Sequence, residues 1–417
     1  MRIVFRSALR ALVPPLAPLV LLLAPAAAQT PQVEAPPSFN AAQIPGINRV
    51  GDNYTIRTPV KSDGILRVYV LTTPYGEITV QGDEMLRMRI NELKALAALE
   101  KMSTSESFGK ALAEAGLGPV KFAGGLIMNP VGTVQNTAAG IGGFFGRMSS
   151  GMNNMGKTQD DALSSLLGVT DQRRQLAAAY GVDPYTDLAP LAEKLQVLSQ
   201  AAATGGLVVT GAMMAIPGGA GIIVSNLATA NKANDLGLEE VARSYTAPQI
   251  LDLNRDILKK MGIEEALAES LLTNRYYTPI DMTAMVAALD SLHGVQNREL
   301  FVARAAAADG RAIAYVLRRT AEFYADDYRK RGGYVRFVSL ADFPYVVTRD
   351  NRVTALLPID ALSWTRETAT GFTAVSNARR AKAPQARGEL RITGMATAMA
   401  KERLKAQGWT VLDHQRP

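Results

Sequence analysis

The chain has 417 residues, 47% of them hydrophobic, a formal net charge of +7 and no cysteine. The lack of cysteine excludes disulfide bonds and thiolate metal sites, so the burial of apolar side chains has to hold the fold together. The length is sufficient for a sizeable core and for two or three domains.

The first 28 residues have the three parts of a bacterial signal peptide. Three arginines give a positive start, an apolar run ends at Leu23, and three alanines precede Gln29. A membrane anchor is the alternative, but prolines interrupt the run, which is shorter than the roughly 20 residues that a spanning helix needs. The sequence therefore predicts cleavage after Ala28 and a periplasmic or secreted mature protein.

Residues 29–82 are predicted to form a tether followed by a small β-rich segment. Residues 29–50 carry four prolines and little periodicity, which is typical of a flexible linker. From residue 51 to residue 82, the runs NYTIRTPV, ILRVYVL and EITVQG are separated by KSDG and TTPYG, which have the composition of turns. An antiparallel meander is expected there.

The period of the apolar residues becomes helical at residue 83. Leu86, Ile90 and Leu93 recur at helical spacing, which puts them on one face of a helix. In the stretch TAPQILDLNRDILKKMG, Thr246 is a candidate N-cap and Gly262 a candidate terminator. We predict a helical domain with Gly/Ala-rich hairpins over residues 83–330.

Strand patterns return after residue 330, in a basic C-terminal part that we assign to residues 331–417. Residues 311–417 carry 19 Lys and Arg against 10 Asp and Glu. That surface could meet anionic lipid or an acidic partner, or could simply be well solvated. The predicted fold class is α+β, with a predominantly helical central region between small antiparallel β-rich parts at the two ends. The strands of those two parts could complete one sheet.

Two uncharged segments, residues 122–146 and 195–231, are dense in glycine and alanine. In the second, Gly211, Ala215 and Gly219 follow one another at a spacing that lets two helix backbones approach closely. The favoured interpretation is a buried helical hairpin. The alternative is that residues 201–231 contact or enter a membrane, although their apolar stretch is short for a bilayer.

The stretch GMNNMGKT, residues 151–158, matches the phosphate-binding pattern G-x-x-x-x-G-K-[ST]. In that pattern Gly151, Gly156, Lys157 and Thr158 would hold a nucleotide, but a hydrophobic strand has to precede the first glycine. The preceding residues, GIGGFFGRMSS, are rich in glycine and end in polar side chains. We therefore interpret the match as a chance one in an ordinary loop, and expect neither a nucleotide nor another cofactor.

Two patterns leave a periplasmic hydrolase as an alternative. Ser107 and Lys110 form an S-x-x-K pair, the nucleophile motif of penicillin-binding enzymes, but the sequence has no K-T-G companion. His293 could serve a Ser-His-Asp site, although a histidine at a helix end more often complements the helix dipole. With two histidines and no cysteine, no metal site is expected.

The stretch NRYYT, residues 274–278, is the candidate for binding. Arg275, Tyr276 and Tyr277 stand at a predicted turn between two helices, where a stacking and hydrogen-bonding cluster can form. The favoured interpretation is that the cluster locks the corner between the helices, and recognition of a ligand is the alternative. The stretch DPYTD, residues 183–187, has the same two interpretations.

These patterns predict an exported bacterial envelope protein with a non-catalytic structural or interaction role. The glycine-rich hairpin and the basic C-terminal surface would be its contact surfaces. A protein or another envelope component is the expected partner, contact with a membrane surface is a further expectation, and no nucleic acid is expected. A periplasmic hydrolase and a protein that inserts its Gly-rich hairpin into a membrane are the alternatives.

Overall fold

The computed structural model describes residues 33–103, 170–203 and 237–415. In these residues a sheet near the N-terminal end is followed by a series of helices and then by a second sheet. The predicted α+β class with a helical centre is confirmed. The predicted signal peptide, the segment 122–146 and residues 204–231 of the second Gly/Ala-rich segment lie outside the described residues.

The N-terminal sheet has six strands: β1 Ser38–Phe39, β2 Val50–Gly51, β3 Tyr54–Ile56, β4 Val60–Ser62, β5 Arg67–Thr73 and β6 Gly76–Gln81. Strand β5 is at its centre. It pairs with β6 along one edge, and along its other edge first with β4 and then with β3, always antiparallel. β1 extends the sheet beyond β4, and β2 extends it beyond β3.

Residues 33–50, which the sequence assigned to a flexible tether, are packed onto the rest of the protein. Ala41, Ile44 and Ile47 are buried in the same core as the N-terminal sheet. The backbone N–H of Glu34 donates to Trp364 O at 3.0 Å. The Glu34 carboxylate accepts from the backbone N–H of Trp364 at 2.6 Å. The structure therefore corrects the tether for these residues: the spaced apolar side chains among the prolines bury enough surface to order the segment.

Nine helices lie between the two sheets in the described part of the chain. Thr246 and Thr278 begin two of them with capping boxes, each followed by a proline in the first turn, and Gly262 follows the first of these with φ +78°. The predicted N-cap Thr246 and the predicted terminator Gly262 are thus present. The helices are α1 Asp83–Ser103, α2 Asp171–Ala179, α3 Ala189–Ala203, α4 Leu238–Ser244, α5 Ala247–Lys260, α6 Glu265–Leu272, α7 Pro279–Asp290, α8 Glu299–Ala306 and α9 Arg311–Arg331.

Helix α9 passes through the interior. Its sequence suggests one apolar stripe, but the helix is buried on every face from Ile313 to Asp327. Arg318, Arg319 and Glu322 are therefore buried together with the apolar side chains. Buried charges are tolerated only when they are paired, so this helix has to carry its own ion pairs.

The elements of the C-terminal part are β7 Tyr334–Leu340, β8 Phe343–Thr348, β9 Arg352–Leu357, β10 Ala361–Leu362, α10 Arg366–Lys382, β11 Arg387–Ile392, β12 Met395–Ala396, α11 Ala398–Ala406 and β13 Trp409–Leu412. Five of the strands form a mixed sheet in the order β13–β11–β9–β8–β7, and β10 and β12 form a separate parallel pair.

In the five-stranded sheet, β7, β8 and β9 are antiparallel neighbours. β9, β11 and β13 run parallel, with helices α10 and α11 in the crossover connections. The expectation that both ends of the chain complete one sheet is wrong, since this sheet and the N-terminal sheet are separate.

Asp360, which follows β9, joins the C-terminal part to the N-terminal sheet. Its Oδ2 accepts from the backbone N–H of Arg67 at 2.9 Å and from that of Asp83 at 3.1 Å. Burial, reinforced by the charge of Asp83, raises the pKa of Asp360 well above its usual value. Gly394 lies against the same residue, and a Cβ there would be 2.0 Å from Asp360 O.

Three apolar cores support these elements. The largest lies between helices α5–α9 and the C-terminal sheet, and the second lies between α1, α2, α3 and the N-terminal sheet. A small third core, which includes Tyr185, Ile250 and Ile280, joins α4, α5 and α7. No helix within the described ranges is both long and apolar enough to cross a lipid bilayer.

Candidate functional site

A pocket of about 300 Å³ lies between two loops that are distant in the sequence. One loop, residues 274–278, joins α6 to α7, and the other, residues 180–188, joins α2 to α3. Arg311 at the start of α9 and Leu251 of α5 complete the wall. The volume is at the lower end of the range that small-molecule sites occupy. Both candidate stretches of the sequence, NRYYT and DPYTD, therefore meet at one concave site.

Asn274 shapes the first loop. Its Oδ1 accepts from the backbone N–H of Tyr276 at 2.9 Å, which makes a tight Asx turn. Its Nδ2 donates to Ala306 O at 3.0 Å and to Ala308 O at 2.9 Å. The side chain thus holds the loop against the end of α8, so that the loop has a defined shape before any ligand arrives.

The N-terminus of α7 ends this loop. Thr278 Oγ1 accepts from the backbone N–H of Asp281 at 3.1 Å, and the Asp281 carboxylate accepts from that of Thr278 at 3.4 Å. Pro279 occupies the first position of the helix, where no N–H is required. These residues give the α7 end a stable capping box.

The aromatic residues of the loop have different surroundings. Tyr277 is 6% exposed, and its hydroxyl donates to Ala305 O at 3.1 Å. Tyr276 is half-buried at the pocket, and the Arg275 guanidinium lies over its ring, 5.2 Å from the centroid. Tyr277 is therefore a lock between α7 and α8, whereas Arg275 and Tyr276 face the pocket.

The second loop is tied to the first by one hydrogen bond between side chains. Asp183 Oδ1 accepts from the backbone N–H of Tyr185 at 2.8 Å, and Asp183 Oδ2 accepts from Thr278 Oγ1 at 2.6 Å. Thr186 donates from its hydroxyl to the buried Glu92 of α1. Tyr185 lines the pocket, and its buried hydroxyl has no hydrogen-bond partner within the described parts of the chain.

Ion pairs run behind the pocket wall. Arg311 pairs with Asp281 through Nη1, and its Nε lies 3.4 Å from Asp187 Oδ2. Arg89 Nη2 contacts the other Asp187 oxygen at 2.9 Å. Arg318 Nη1 contacts Asp281 Oδ1 at 3.2 Å. Both carboxylates are therefore held on both oxygens by arginines.

The network continues along the buried face of α9. Glu322 pairs with Arg318 at 2.9 Å and also with Arg319, and Arg319 Nη2 lies 3.6 Å from Glu84 of α1. Arg89 also pairs with Glu92 on the same helix, at 2.7 Å. These contacts explain how α9 can be buried on all sides while it carries charge.

The carboxylates of the site differ in their affinity for protons. Burial and the nearby charge of Asp281 raise the pKa of Asp183 to about 7, against hydrogen bonds that act to lower it. Burial would also raise the pKa of Asp187, but Arg89 and Arg311 lower it to about 2. In Asp281 the two arginines likewise prevail over burial and lower the pKa. Asp183 is thus the group of this site that titrates near neutral pH.

The structure places the sequence candidates in different surroundings. Arg275, Tyr276 and Tyr277 all line the pocket. His293 is exposed beyond the end of α7, and its backbone carbonyl accepts from the Tyr328 hydroxyl at 2.7 Å.

The other candidates fall outside what is described. Ser107 and Lys110 lie there, and so do Gly151, Gly156, Lys157 and Thr158 of the phosphate-loop pattern. Within the described residues, no three His, Cys, Asp or Glu side chains are grouped so that they could hold a metal ion.

Sequence reasoning missed the arginines of the pocket wall. Arg89 lies on α1, and Arg311 and Arg318 lie on α9. The sequence prediction of these helices used their apolar residues and not their charged ones. A signal was nevertheless present, since LRRTAE in α9 and RINE in α1 put opposite charges three or four residues apart inside long apolar helices. Such charges in a buried helix indicate an internal ion-pair network.

Three comparisons with known proteins complete the description of the site. No protein-family model, no curated protein and no solved structure matches this chain. The functional assignment therefore depends on the chemistry of the residues themselves.

Proposed function

We propose that the chain is an exported protein of the bacterial envelope with a non-catalytic interaction role, and that the pocket between residues 274–278 and 180–188 is its recognition site. The export part of the proposal is supported by the leader-like first 28 residues. The recognition part is supported by the geometry of the pocket.

One observation carries the proposal. Arg311 and Asp187, two of the charged side chains that line the pocket, are paired with each other, and Arg311 also pairs with Asp281. A catalytic acid or base has to be free to exchange a proton with a substrate. Paired groups of this kind instead give a rigid and electrically balanced wall, which suits binding without chemistry.

A periplasmic hydrolase is the second candidate, and the raised pKa of Asp183 is the observation in its favour, since catalytic carboxyls often titrate near neutral pH. However, both Asp183 oxygens are occupied, one by Tyr185 N and the other by Thr278 Oγ1. The group thus serves to join two loops. The Ser107 and Lys110 pair stays a prediction, as does a site at His293.

The membrane hypothesis concerns other parts of the chain. The hairpin proposed to insert into lipid, residues 201–231, lies almost wholly outside the described residues. Its insertion and the contact of the basic C-terminal surface with anionic lipid remain secondary proposals.

Photo-crosslinking from the pocket tests the proposed function. A photoreactive phenylalanine analogue, which keeps an aromatic ring, replaces Tyr276, which is half-buried at the pocket, or Tyr328, which is half-buried on α9 and is a matched control. After cell fractionation and irradiation of the mature protein, position 276 should yield a specific adduct in the envelope fraction and position 328 should not.

Two outcomes would refute the proposal. Identical adduct patterns at both positions would mean that the pocket recognises nothing. Recovery of the uncleaved protein in the cytosol would exclude the envelope. If the protein hydrolyses an envelope substrate and a folded Asp183→Asn variant does not, the hydrolase is favoured instead.

A further inference from the structure

We infer that the pocket binds a small ligand in which a carboxylate is attached to an apolar group, and that Arg275 holds the carboxylate. The inference names the ligand class of the same site and so rests on the proposed function. Four features of the described residues support it: one uncompensated positive charge, the stacking of that charge, the apolar wall and a buried hydroxyl.

The charge of the pocket is the first feature. Asp187, Arg275 and Arg311 are the charged residues among the described residues that line it. Asp187 and Arg311 form an ion pair with each other, whereas no ion pair is present for Arg275 in the described parts of the chain. A ligand that enters the pocket therefore meets one uncompensated positive charge, which favours an anionic group.

The orientation of Arg275 is the second feature. Its guanidinium lies over the Tyr276 ring at 5.2 Å from the centroid. Stacking uses the flat face of the group and leaves the N–H donors along its edge available for a bidentate contact. A carboxylate matches that edge with two parallel hydrogen bonds. Lysine could supply the charge but not this geometry.

Part of the pocket wall is apolar. Leu251, Leu272 and Met282 line it and are 8%, 5% and 2% exposed, and Pro279 adds a further apolar surface. Burial of an apolar group of the ligand against them removes that group from water and is therefore favourable. The volume of about 300 Å³ suits a single amino-acid-sized group better than a long chain.

Tyr185 supplies the fourth feature. It is 7% exposed, it lines the pocket, and its hydroxyl has no hydrogen-bond partner within the described ranges. The hydroxyl is almost sealed from solvent, so a ligand can pair with it only if the side chain turns toward the pocket. Because a buried polar group without a partner is costly, that pairing would gain affinity. The ligand is therefore expected to carry one further polar group, such as an amide, beside the carboxylate.

N-acetyl-L-leucine has all of these features and is the probe for titration calorimetry with the mature protein. Two further titrations use a six-residue peptide that ends in leucine, once with a free C-terminal carboxylate and once with a C-terminal amide. They distinguish a free small acid from the C-terminus of a polypeptide as the ligand. Either carboxylate source supports the inference, and their relative affinities identify the source. N-acetyl-leucine amide and inorganic phosphate are the chemical controls.

The free acid should bind at least about tenfold more tightly than the amide, because the amide lacks the charge-assisted contact. Arg275→Ala should weaken binding at least about tenfold, Arg275→Lys less, and Tyr185→Phe by a few-fold. Arg366→Ala is the matched control and should leave affinity unchanged. Arg275 and Arg366 are exposed, so both variants should fold, which circular dichroism checks.

Equal affinity for acid and amide would overturn the inference, and so would unchanged binding by Arg275→Ala. Tighter binding of inorganic phosphate than of N-acetyl-L-leucine would also overturn it, because the apolar group would then be irrelevant. If none of the carboxylate probes binds while crosslinking from position 276 still captures an envelope partner, the ligand class is wrong and the proposed function stands.

Discussion

Thr278 Oγ1 donates a hydrogen bond of 2.6 Å to Asp183 Oδ2, across 95 residues of sequence. The bond joins the N-terminus of α7 to the loop before α3, and the pocket lies beside it. Asp281 accepts from the backbone N–H of the same threonine. Two carboxylates thus share one N-cap residue, and burial together with the nearby charge of Asp281 raises the pKa of Asp183.

Asp183→Asn should change how stability depends on pH. The pKa of Asp183 is raised from 3.8 to about 7 on folding, so the folded state binds the proton more tightly than the unfolded state does. The contribution of this group to stability is therefore complete below about pH 4 and is lost as the pH rises to about 7. Relative to the variant, the unmodified protein should lose stability over that interval.

Urea unfolding at several pH values between 4 and 8 measures this difference. Groups distant from Asp183 contribute equally to both proteins, and the lowered pKa of Asp281 lies below this interval, so the difference between the two curves reports Asp183. Curves that stay parallel over the whole interval would contradict the raised pKa.

Arg311→Met should be strongly destabilising. The substitution removes the ion pair of Arg311 with Asp281, whose side chain is 4% exposed, and leaves Asp281 paired with Arg318 alone. It also removes one of the two arginines that contact Asp187. Loss of one partner from a buried ion pair costs about 3 kcal/mol or more in the free energy of unfolding. Arg255→Met is the control, because the ion pairs of Arg255 with Asp252 and Glu269 are exposed and should be worth less than about 1 kcal/mol. Similar losses in both variants would refute the network.

Tyr277→Phe and Tyr276→Phe should separate locking from recognition. The Tyr277 hydroxyl donates to Ala305 O at 3.1 Å, so its removal should cost about 1 kcal/mol of stability. The Tyr276 hydroxyl has no hydrogen bond within the described residues, and its removal should leave stability within about 0.5 kcal/mol. Chemical denaturation provides the measurement. The reverse order would mean that Tyr276, and not Tyr277, locks the corner.

Glu34→Ala should destabilise the protein, although the sequence predicts that residue 34 belongs to a flexible tether. The carboxylate accepts from Trp364 N at 2.6 Å and from the Thr397 hydroxyl, the N-cap of α11. Its removal should cost about 1–3 kcal/mol in the free energy of unfolding. Glu77→Ala, which removes an exposed ion pair with Arg57, is the control. A free tether at residue 34 would make the two variants equally stable.

Gly394→Ala tests the junction between the two sheets. A Cβ at this position would be 2.0 Å from the backbone oxygen of Asp360, and backbone atoms cannot give way as a flexible side chain can. We expect a loss of about 3 kcal/mol or more, or failure to fold. Gly237→Ala, where a Cβ meets nothing within 4 Å, should cost less than about 1 kcal/mol. Thermal unfolding of both variants is the measurement, and equal melting temperatures would show that the contact is relaxed.

Features that depend on neighbouring residues could be predicted from local patterns. The change of period at residue 83, the cap at Thr246, the terminator Gly262 and the turn before Gly76 all follow from local backbone chemistry, and the structure has each of them. The residues NRYYT also stood out locally, as aromatic and charged side chains at a turn. Such features need no information about distant parts of the chain.

Which of these local elements contact one another depends on the tertiary fold. The separation of the two sheets, the docking of Glu34 against Trp364 and the pairing of Arg311 with Asp187 join residues that are far apart in sequence. Hydrophobic periodicity gives the buried face of a helix but not the partner of that face, and a charge pattern does not state which distant carboxylate an arginine will reach. Those choices depend on how all the elements pack at once, and the pocket exists only because of that packing.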